Sequence, residues 1–155
     1  MNVALKPAQE LELVRVLNAP RERVFAAWTD PDKAARWWVP QDCTLVSFKM
    51  DVREGGGWHR RLRGPDGSVI AKWGEYREVR VPERLVFTYN SQYADGTTDP
   101  ETLVTVTFAD LGGRTRLTLR HTAFETDTAR LNHQGGWTSA LERLATFIAT
   151  DGAAA

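Results

Sequence analysis

An apolar stripe towards the end of the chain predicts a long amphipathic helix over residues 126–150. Its members recur at intervals of three and four residues: Trp137, Ala140, Leu141, Leu144, Ala145 and Ile148. That spacing is typical of one face of an α-helix. His133 lies one turn earlier on the same face. A helix of this length cannot bury its stripe alone, so the rest of the chain must supply a broad apolar surface.

The residues before this helix read as short strands separated by turn residues. Alternating apolar and polar side chains predict strands at 10–17, 43–53, 58–63, 68–81, 84–93, 101–108 and 114–122. Two short helices are predicted after the first strand, with Asn18 or Ala19 as the cap and Pro20 at the first helical position. The order predicts an α+β fold in which a curved antiparallel sheet of about seven strands wraps around the C-terminal helix.

Length and charge limit the function classes. At 155 residues we expect one domain over 1–155, with a loose leader at 1–8 and a frayed tail at 151–155. Basic and acidic residues number 20 each, and a chain without net positive charge is a poor binder of nucleic acid or anionic membranes. The first residues lack the pattern of a signal peptide, and no apolar run reaches the about 20 residues of a membrane span. We therefore expect a cytoplasmic protein that does not insert into membranes.

Motifs for catalysis or metal binding are not evident. Cys43 is the single cysteine, which excludes an internal disulfide and a CxxC site. The three histidines lack the spacing of metal ligands. No nucleophile elbow, P-loop or dinucleotide fingerprint occurs. The sequence thus predicts no metal, no cofactor and no recognisable catalytic residue, and an inert Cys43.

Six stretches carry a resemblance to a known family: APRERVFAAWTDPDKAARWWVP at 19–40, DVREGGGW at 51–58, GPDG at 64–67, GEYREVRVPERLVFTY at 74–89, GGRTRLTLRHTAF at 112–124 and HQGGWTSALERLATFI at 133–148. In this order they resemble the START-like (SRPBCC, helix-grip) superfamily. Within it they are similar to the activator of heat-shock protein 90 ATPase homologue family, often grouped with polyketide cyclases. The resemblance implies a cavity between the concave face of the sheet and the terminal helix. Members bind lipids, hormones or polyketides, and some catalyse cyclisation or aromatisation, so it does not imply one activity.

Large apolar side chains are the predicted walls of that cavity. Six tryptophans are many for this length, and a buried indole needs a partner for its N–H. The residues predicted to contact a ligand are Trp28, Trp37, Phe48, Trp58, Trp73, Phe87, Val106, Leu119, Trp137 and Leu141. Trp38 is expected at the rim. For any single residue of this set, packing in the core is the simpler interpretation.

Polar candidates follow from strand alternation. Arg60 shares the inward parity of its apolar neighbours, and a buried arginine needs a partner. That partner could be Glu75, Glu78 or the carboxylate of a ligand; a side chain that reaches solvent at the sheet edge is an equal alternative. Tyr76 and Tyr89 are candidate hydroxyl donors to a ligand.

Two histidines and two glycines complete the predicted site. His121 and His133 both lie on apolar faces. Three roles are open for them: polar contacts to a ligand, acid/base groups, or hydrogen-bonded core residues. Gly135-Gly136 interrupts the helix at a cost of about 1 kcal/mol for each glycine relative to alanine. Either a backbone patch is left open for a ligand, or the helix packs closely against its neighbours.

Three functions stay open at this point. The preferred one is a binding module for a small hydrophobic or aromatic ligand that could also carry an acidic group. The second is a cyclase- or aromatase-type enzyme that uses His121 or His133 as acid/base and Arg60 as oxyanion partner. The third is a chaperone-interacting module, for which an outward basic set offers the contact surface: His59, Arg61, Arg63, Arg116 and Arg120. An exposed strand edge would also allow a homodimer.

Overall fold

The computed structural model describes residues 9–154, and the side chains of residues 9–150. The predicted leader at 1–8 lies outside the described residues. Within them the chain forms seven strands and three helices. Their order and bounds are β1 (Leu11–Leu17), α1 (Arg21–Thr29), α2 (Pro31–Trp37), β2 (Thr44–Met50), β3 (Gly57–Arg63), β4 (Val69–Arg80), β5 (Arg84–Gln92), β6 (Thr102–Asp110), β7 (Thr115–Thr122) and α3 (Asp127–Ala154).

All described strands belong to one antiparallel sheet in the order β1-β7-β6-β5-β4-β3-β2. Strands β2 to β7 follow one another as a meander, whereas β1 pairs with β7 from Leu11 opposite His121 to Leu17 opposite Thr115. The predicted fold is therefore confirmed, with a long C-terminal helix against the sheet. Strands β1 and β2 form its two edges, and the homodimer stays a prediction.

Alternation along the strands separates the two faces of the sheet, as the sequence predicted. In β3, buried and exposed residues alternate without exception from Gly57 to Arg63. Strands β6 and β7 contribute fully buried Val104, Val106, Leu117 and Leu119 to the concave face. Such a pattern marks a sheet with one face in the core and one in water.

Helix α3 covers the concave face with most of the predicted stripe. Trp137, Leu141 and Leu144 are buried, but Ala145 is exposed and Phe147 is buried in its place. The helix continues to Ala154, and the frayed tail at 151–155 stays a prediction. None of the helices in residues 9–154 is long and apolar enough to cross a membrane.

Helices α1 and α2 pack against each other, against the sheet and against α3. Pro20 is the cap residue of α1 rather than its first helical residue, and its side chain makes no capping hydrogen bond. Asp30 caps α2 by accepting from the Asp32 N–H at 3.0 Å. Trp37 then anchors α2 on α1, since its indole Nε1 donates to the Ala27 carbonyl at 2.8 Å. This anchoring holds the residue after α2, Trp38, over the sheet.

Candidate functional site

A cavity of about 240 Å³ lies between the first half of α3 and strands β3 to β5. The loop between α2 and β2 closes its third side. Its lining residues are Trp38, Pro40, Cys43, Arg60, Leu62, Gly64, Ile70, Lys72, Tyr89, Tyr93, Asn132, His133, Gly136, Trp137 and Ala140. The lining is mainly apolar, with a few polar groups that converge on one side, as is typical of small-molecule sites.

Three aromatic rings form the inner wall of the cavity. Trp38 and Trp137 are stacked, with ring centroids 6.1 Å apart and planes inclined by 19°. Tyr89 lies 6.0 Å from Trp137. Behind them, Trp58 packs on Trp38 at 4.8 Å, and Trp28 stacks on Trp137 at 5.9 Å. The wall is thus held by further rings, which leaves little freedom for it to collapse into the cavity.

His121 fixes the position of Trp137 from behind. Trp137 Nε1 donates to His121 Nδ1 at 3.0 Å, and His121 Nε2 lies 2.6 Å from Thr102 Oγ1. The Thr102 hydroxyl donates its own proton to the Tyr89 carbonyl at 2.9 Å, so His121 must carry its proton on Nε2. Burial, with smaller contributions from His133 and Lys72, lowers the pKa of His121 well below 6.5. His121 is a neutral core histidine and does not border the cavity.

His133 presents one ring nitrogen to the cavity. Its Nδ1 lies 2.7 Å from the Ala129 carbonyl, which accepts only from a protonated nitrogen. The unprotonated Nε2 then faces the Lys72 ammonium, 3.4 Å away. Burial first, and then the charge of Lys72, lower the pKa of His133 to about 4. The ring is neutral at pH 7 and offers an acceptor.

Arg60 is the most deeply buried charge of the site, with 4% of its surface exposed. Its Nη1 donates to the Trp38 carbonyl at 2.9 Å and its Nη2 to the Tyr89 hydroxyl at 2.5 Å. The guanidinium carbon lies 4.5 Å from the centre of the Trp38 ring, within the range of a cation–π contact. The inward orientation is confirmed, but the predicted partners Glu75 and Glu78 are wrong.

Those two glutamates point to the outer face of the sheet. Glu75 pairs with Arg77 at 3.2 Å, and Glu78 pairs with Arg84 at the same distance. Glu75 lies three residues after Lys72 on β4, so strand alternation places the two side chains on opposite faces. No carboxylate therefore reaches Arg60 from β4.

Lys72 is a site residue that the sequence interpretation missed. Its ammonium donates to the Ser91 hydroxyl at 2.9 Å and lies over the rings of Tyr89 and Tyr93, at 5.3 and 5.9 Å from their centres. Burial lowers its pKa from 10.5. The sequence could have indicated this position, because the four-residue turn after β3 determines which residues of β3 and β4 lie opposite each other. Counting from that turn places Lys72 beside Arg60.

The helical glycines leave open space rather than a close contact. A Cβ atom added at Gly135 or Gly136 would meet no atom within 4 Å. Gly136 borders the cavity, and Gly135 borders only a shallower outer groove. Close packing of the helix backbone, one of the two predicted explanations, is therefore wrong, and the opening at Gly136 agrees with the other.

Four predicted contact residues border the cavity: Arg60, Tyr89, His133 and Trp137. Ten others lie in the packed interior around it, and Phe48 among them is only half-buried: Trp28, Trp37, Phe48, Trp58, Tyr76, Phe87, Val106, Leu119, His121 and Leu141. Their inward orientation was predicted correctly, but alternation gives the face of a residue and not its depth. None of these ten borders the cavity, and their contact with a ligand stays a prediction.

Two tryptophans lie where they were not expected. Trp73 is 38% exposed on the outer face of the sheet, opposite His59 on β3, so its prediction as a cavity residue is wrong. Trp38, expected at the rim, is 2% exposed and forms the inner wall. The loop after α2 carries Trp38 inward, and neither helical nor strand periodicity describes that loop.

Cys43 borders the cavity but is poorly activated. Burial, together with the neighbouring Asp42 carboxylate, raises the pKa of its thiol above 9.0. The thiolate is the nucleophilic form of cysteine, so a raised pKa fits the predicted inert residue. Among the described residues, no group of three histidine, cysteine or acidic side chains could hold a metal ion.

The sheet wrapped on a terminal helix, with a cavity between them, defines the helix-grip class of START-like proteins. A model of the family "Activator of Hsp90 ATPase homolog 1-like protein" matches residues 18–149. The chain belongs to this family. A comparison with curated proteins found no match.

Solved structures of bacterial proteins share the fold. An AHSA1 protein from Silicibacter pomeroyi is 27% identical with a TM-score of 0.81, over 92% of this chain and 99% of that one. A protein from Chromobacterium violaceum is 29% identical with a TM-score of 0.77, over 90% and 96% of the two chains. An Arthrobacter aurescens protein is 25% identical with a TM-score of 0.79, over 96% and 92%. These likenesses support the family and the fold.

Proposed function

We propose that this protein binds a small hydrophobic or aromatic molecule in the cavity between the sheet and α3. The observation that carries the proposal is the cavity of about 240 Å³ with its wall of Trp38, Trp137 and Tyr89. The open space at Gly136 supports the proposal. Each internal glycine costs a helix about 1 kcal/mol of stability relative to alanine, and no protein atom occupies the space beside Gly136.

The walls allow an estimate of affinity. An aromatic group of the size of an indole buries about 200 Å² of surface, worth about 5 kcal/mol at about 25 cal/mol per Å². That corresponds to a dissociation constant on the order of 0.1–1 mM before any polar contact is counted. Titration calorimetry measures binding in this range.

Binding is favoured over catalysis by the state of the two histidines. Both ring nitrogens of His121 are engaged by Trp137 and Thr102. His133 reaches the cavity, but a pKa of about 4 makes it a weak base at neutral pH. A cyclase-type reaction would therefore have to use His133 with a strongly activated substrate.

The chaperone hypothesis depends on the outward basic residues of the sheet. One of them, Arg120, already pairs with Glu10 at 3.0 Å and approaches Glu12 at 3.7 Å. This pairing reduces the positive field that an acidic partner would meet. The cavity therefore remains the stronger basis for a function.

The proposal is tested with a neutral aromatic probe, 2-naphthamide, and two matched tryptophan variants. Calorimetry should show sub-millimolar binding to the wild type, weakened several-fold by Trp38→Leu and unchanged by Trp73→Leu. Circular dichroism establishes that both variants fold. Equal affinity of all three proteins would place the probe outside the cavity and refute the proposal.

A second measurement seeks the physiological ligand. The protein is purified gently from its own host and weighed by native mass spectrometry. An added mass that disappears on denaturation identifies a carried molecule. If that molecule were displaced equally well from Trp38→Leu and wild type, the cavity would not be its site.

A further inference from the structure

Two positive side chains face the cavity directly opposite each other. Arg60 on β3 and Lys72 on β4 are partners in the register of the two strands. Both border the cavity. The Cβ atoms of such a pair lie about 5 Å apart, and like charges placed directly opposite each other in a sheet are destabilising.

Neither charge is neutralised by a carboxylate of the described residues. Arg60 and Lys72 form none of the ion pairs found between residues 9 and 150. Their hydrogen bonds go to neutral groups: the Trp38 carbonyl and Tyr89 hydroxyl for Arg60, and the Ser91 hydroxyl and the neutral His133 ring for Lys72. Arg60 Nε has no partner within this part of the chain.

The acidic group that acts on Lys72, Asp99, does not resolve the imbalance. Asp99 attracts Lys72 from a distance, but its carboxylate accepts the Tyr93 hydroxyl proton at 2.6 Å. No aspartate or glutamate among residues 9–150 borders the cavity. A buried and a half-buried cation side by side, without a counter-charge, are costly to the free protein. An anion in the cavity would neutralise both.

We propose that the ligand is an aromatic or apolar carboxylic acid whose carboxylate lies between Arg60 and Lys72, with its apolar body against Trp38 and Trp137. This inference rests on the proposed function and adds the charge of the ligand. A guanidinium matches the planar two-oxygen shape of a carboxylate. Tyr89 adds a donor, because its hydroxyl oxygen already accepts from Arg60 and its own proton remains available.

The test compares two ligands of nearly the same shape at pH 7: 2-naphthoate, which is anionic, and 2-naphthamide, which is neutral. A hydrogen-bonded ion pair of this kind should make naphthoate bind about 10- to 100-fold more tightly to the wild type. Calorimetry at low and high salt measures both constants. Equal or tighter binding of the amide refutes the anionic ligand and leaves the aromatic cavity intact. Binding of neither compound refutes the proposed function and the inference together.

Two lysine variants locate the effect. Lys72→Met keeps the length of the side chain and removes the charge, so the preference for naphthoate should fall by about 10-fold or more. Lys49→Met makes the same change in net charge on the outer face, where Lys49 is exposed opposite His59, and should keep the full preference. An equal loss in both variants would assign the preference to overall charge and overturn the proposal.

The stability of the free protein gives a readout without ligand. Because Lys72→Met removes one of two neighbouring like charges, it should raise the melting temperature of the empty protein while it reduces naphthoate binding. Lys49→Met should leave the melting temperature nearly unchanged. A lower melting temperature for Lys72→Met would show that the lysine stabilises the fold, which contradicts a pair held for a ligand.

Discussion

Replacing each helical glycine by alanine separates stability from binding in α3. A Cβ atom at Gly135 or Gly136 meets no atom within 4 Å, so neither change creates a clash. Each alanine should add about 1 kcal/mol to the free energy of unfolding. For a domain of this size that raises the melting temperature by about 2–4 °C for each single variant.

The two variants should differ in ligand binding. Gly136 borders the cavity, and the new methyl group would take space from a bound molecule. Gly135 faces the outer groove, so its methyl group stays clear of the cavity. Urea unfolding followed by circular dichroism measures stability, and calorimetry with 2-naphthoate measures affinity. We expect both variants to be stabilised and only Gly136→Ala to bind several-fold more weakly.

Two results would refute this reasoning. Destabilisation by either alanine would mean that the helix backbone needs glycine for a reason other than open space. An equal loss of affinity in both variants would mean that the ligand does not approach α3 at Gly136. Gly135→Ala thus serves as the matched control for the helical propensity of its neighbour.

The remaining predictions concern the buried histidines. His133 and His121 stay neutral in the folded protein, whereas the histidines of the unfolded chain take up protons below about pH 6.5. The free energy of unfolding should therefore fall as the pH is lowered from about 6.5 to about 4. His133 alone should account for a loss of about 3 kcal/mol. Urea unfolding at several pH values checks this, and an unchanged slope in His133→Gln would contradict it. Trp137→Phe removes the donor to His121 Nδ1 and should cost about 1–3 kcal/mol in unfolding free energy beyond the lost ring area; a smaller loss would mean that this hydrogen bond is replaced.

Strand alternation was sufficient to predict the fold and the orientation of Arg60. A buried face and a wet face leave a period of two in the sequence, which β3 shows from Trp58 to Arg63. The stripe on α3 has the helical period for the same reason. Both periodic patterns depend only on residues close together in the chain, so they can be recognised in a single sequence.

The two main errors on β4 have one physical cause. The turn at 64–67 fixes the register of β3 and β4, with Arg63 opposite Val69. That register places Lys72 beside the inward Arg60 and Trp73 beside the outward His59. Trp73 was assigned inward because it is large and apolar, and Lys72 was overlooked because it is charged. The register imposed by the turn places Lys72 on the inner face and Trp73 on the outer face, whatever their polarity.

Depth could not be predicted in the same way. Trp38 and Trp28 are both buried, yet one borders the cavity and the other lies behind Trp137. Which ring meets open space depends on how α2 and α3 pack together, and on the glycine at 136. Neither is a periodic feature of the chain.

The strand order has a consequence for how the chain assembles during synthesis. Strands β2 to β7 pair with their neighbours in sequence, so each hairpin can form soon after it leaves the ribosome. Strand β1 leaves the ribosome first but pairs only with β7. Leu11, for example, lies opposite His121, more than a hundred residues later in the chain. It must therefore wait, and a contact of such long range forms slowly. Helix α3 is synthesised after all seven strands, so the cavity around Arg60 and Lys72 can be completed only once the whole sheet has been made.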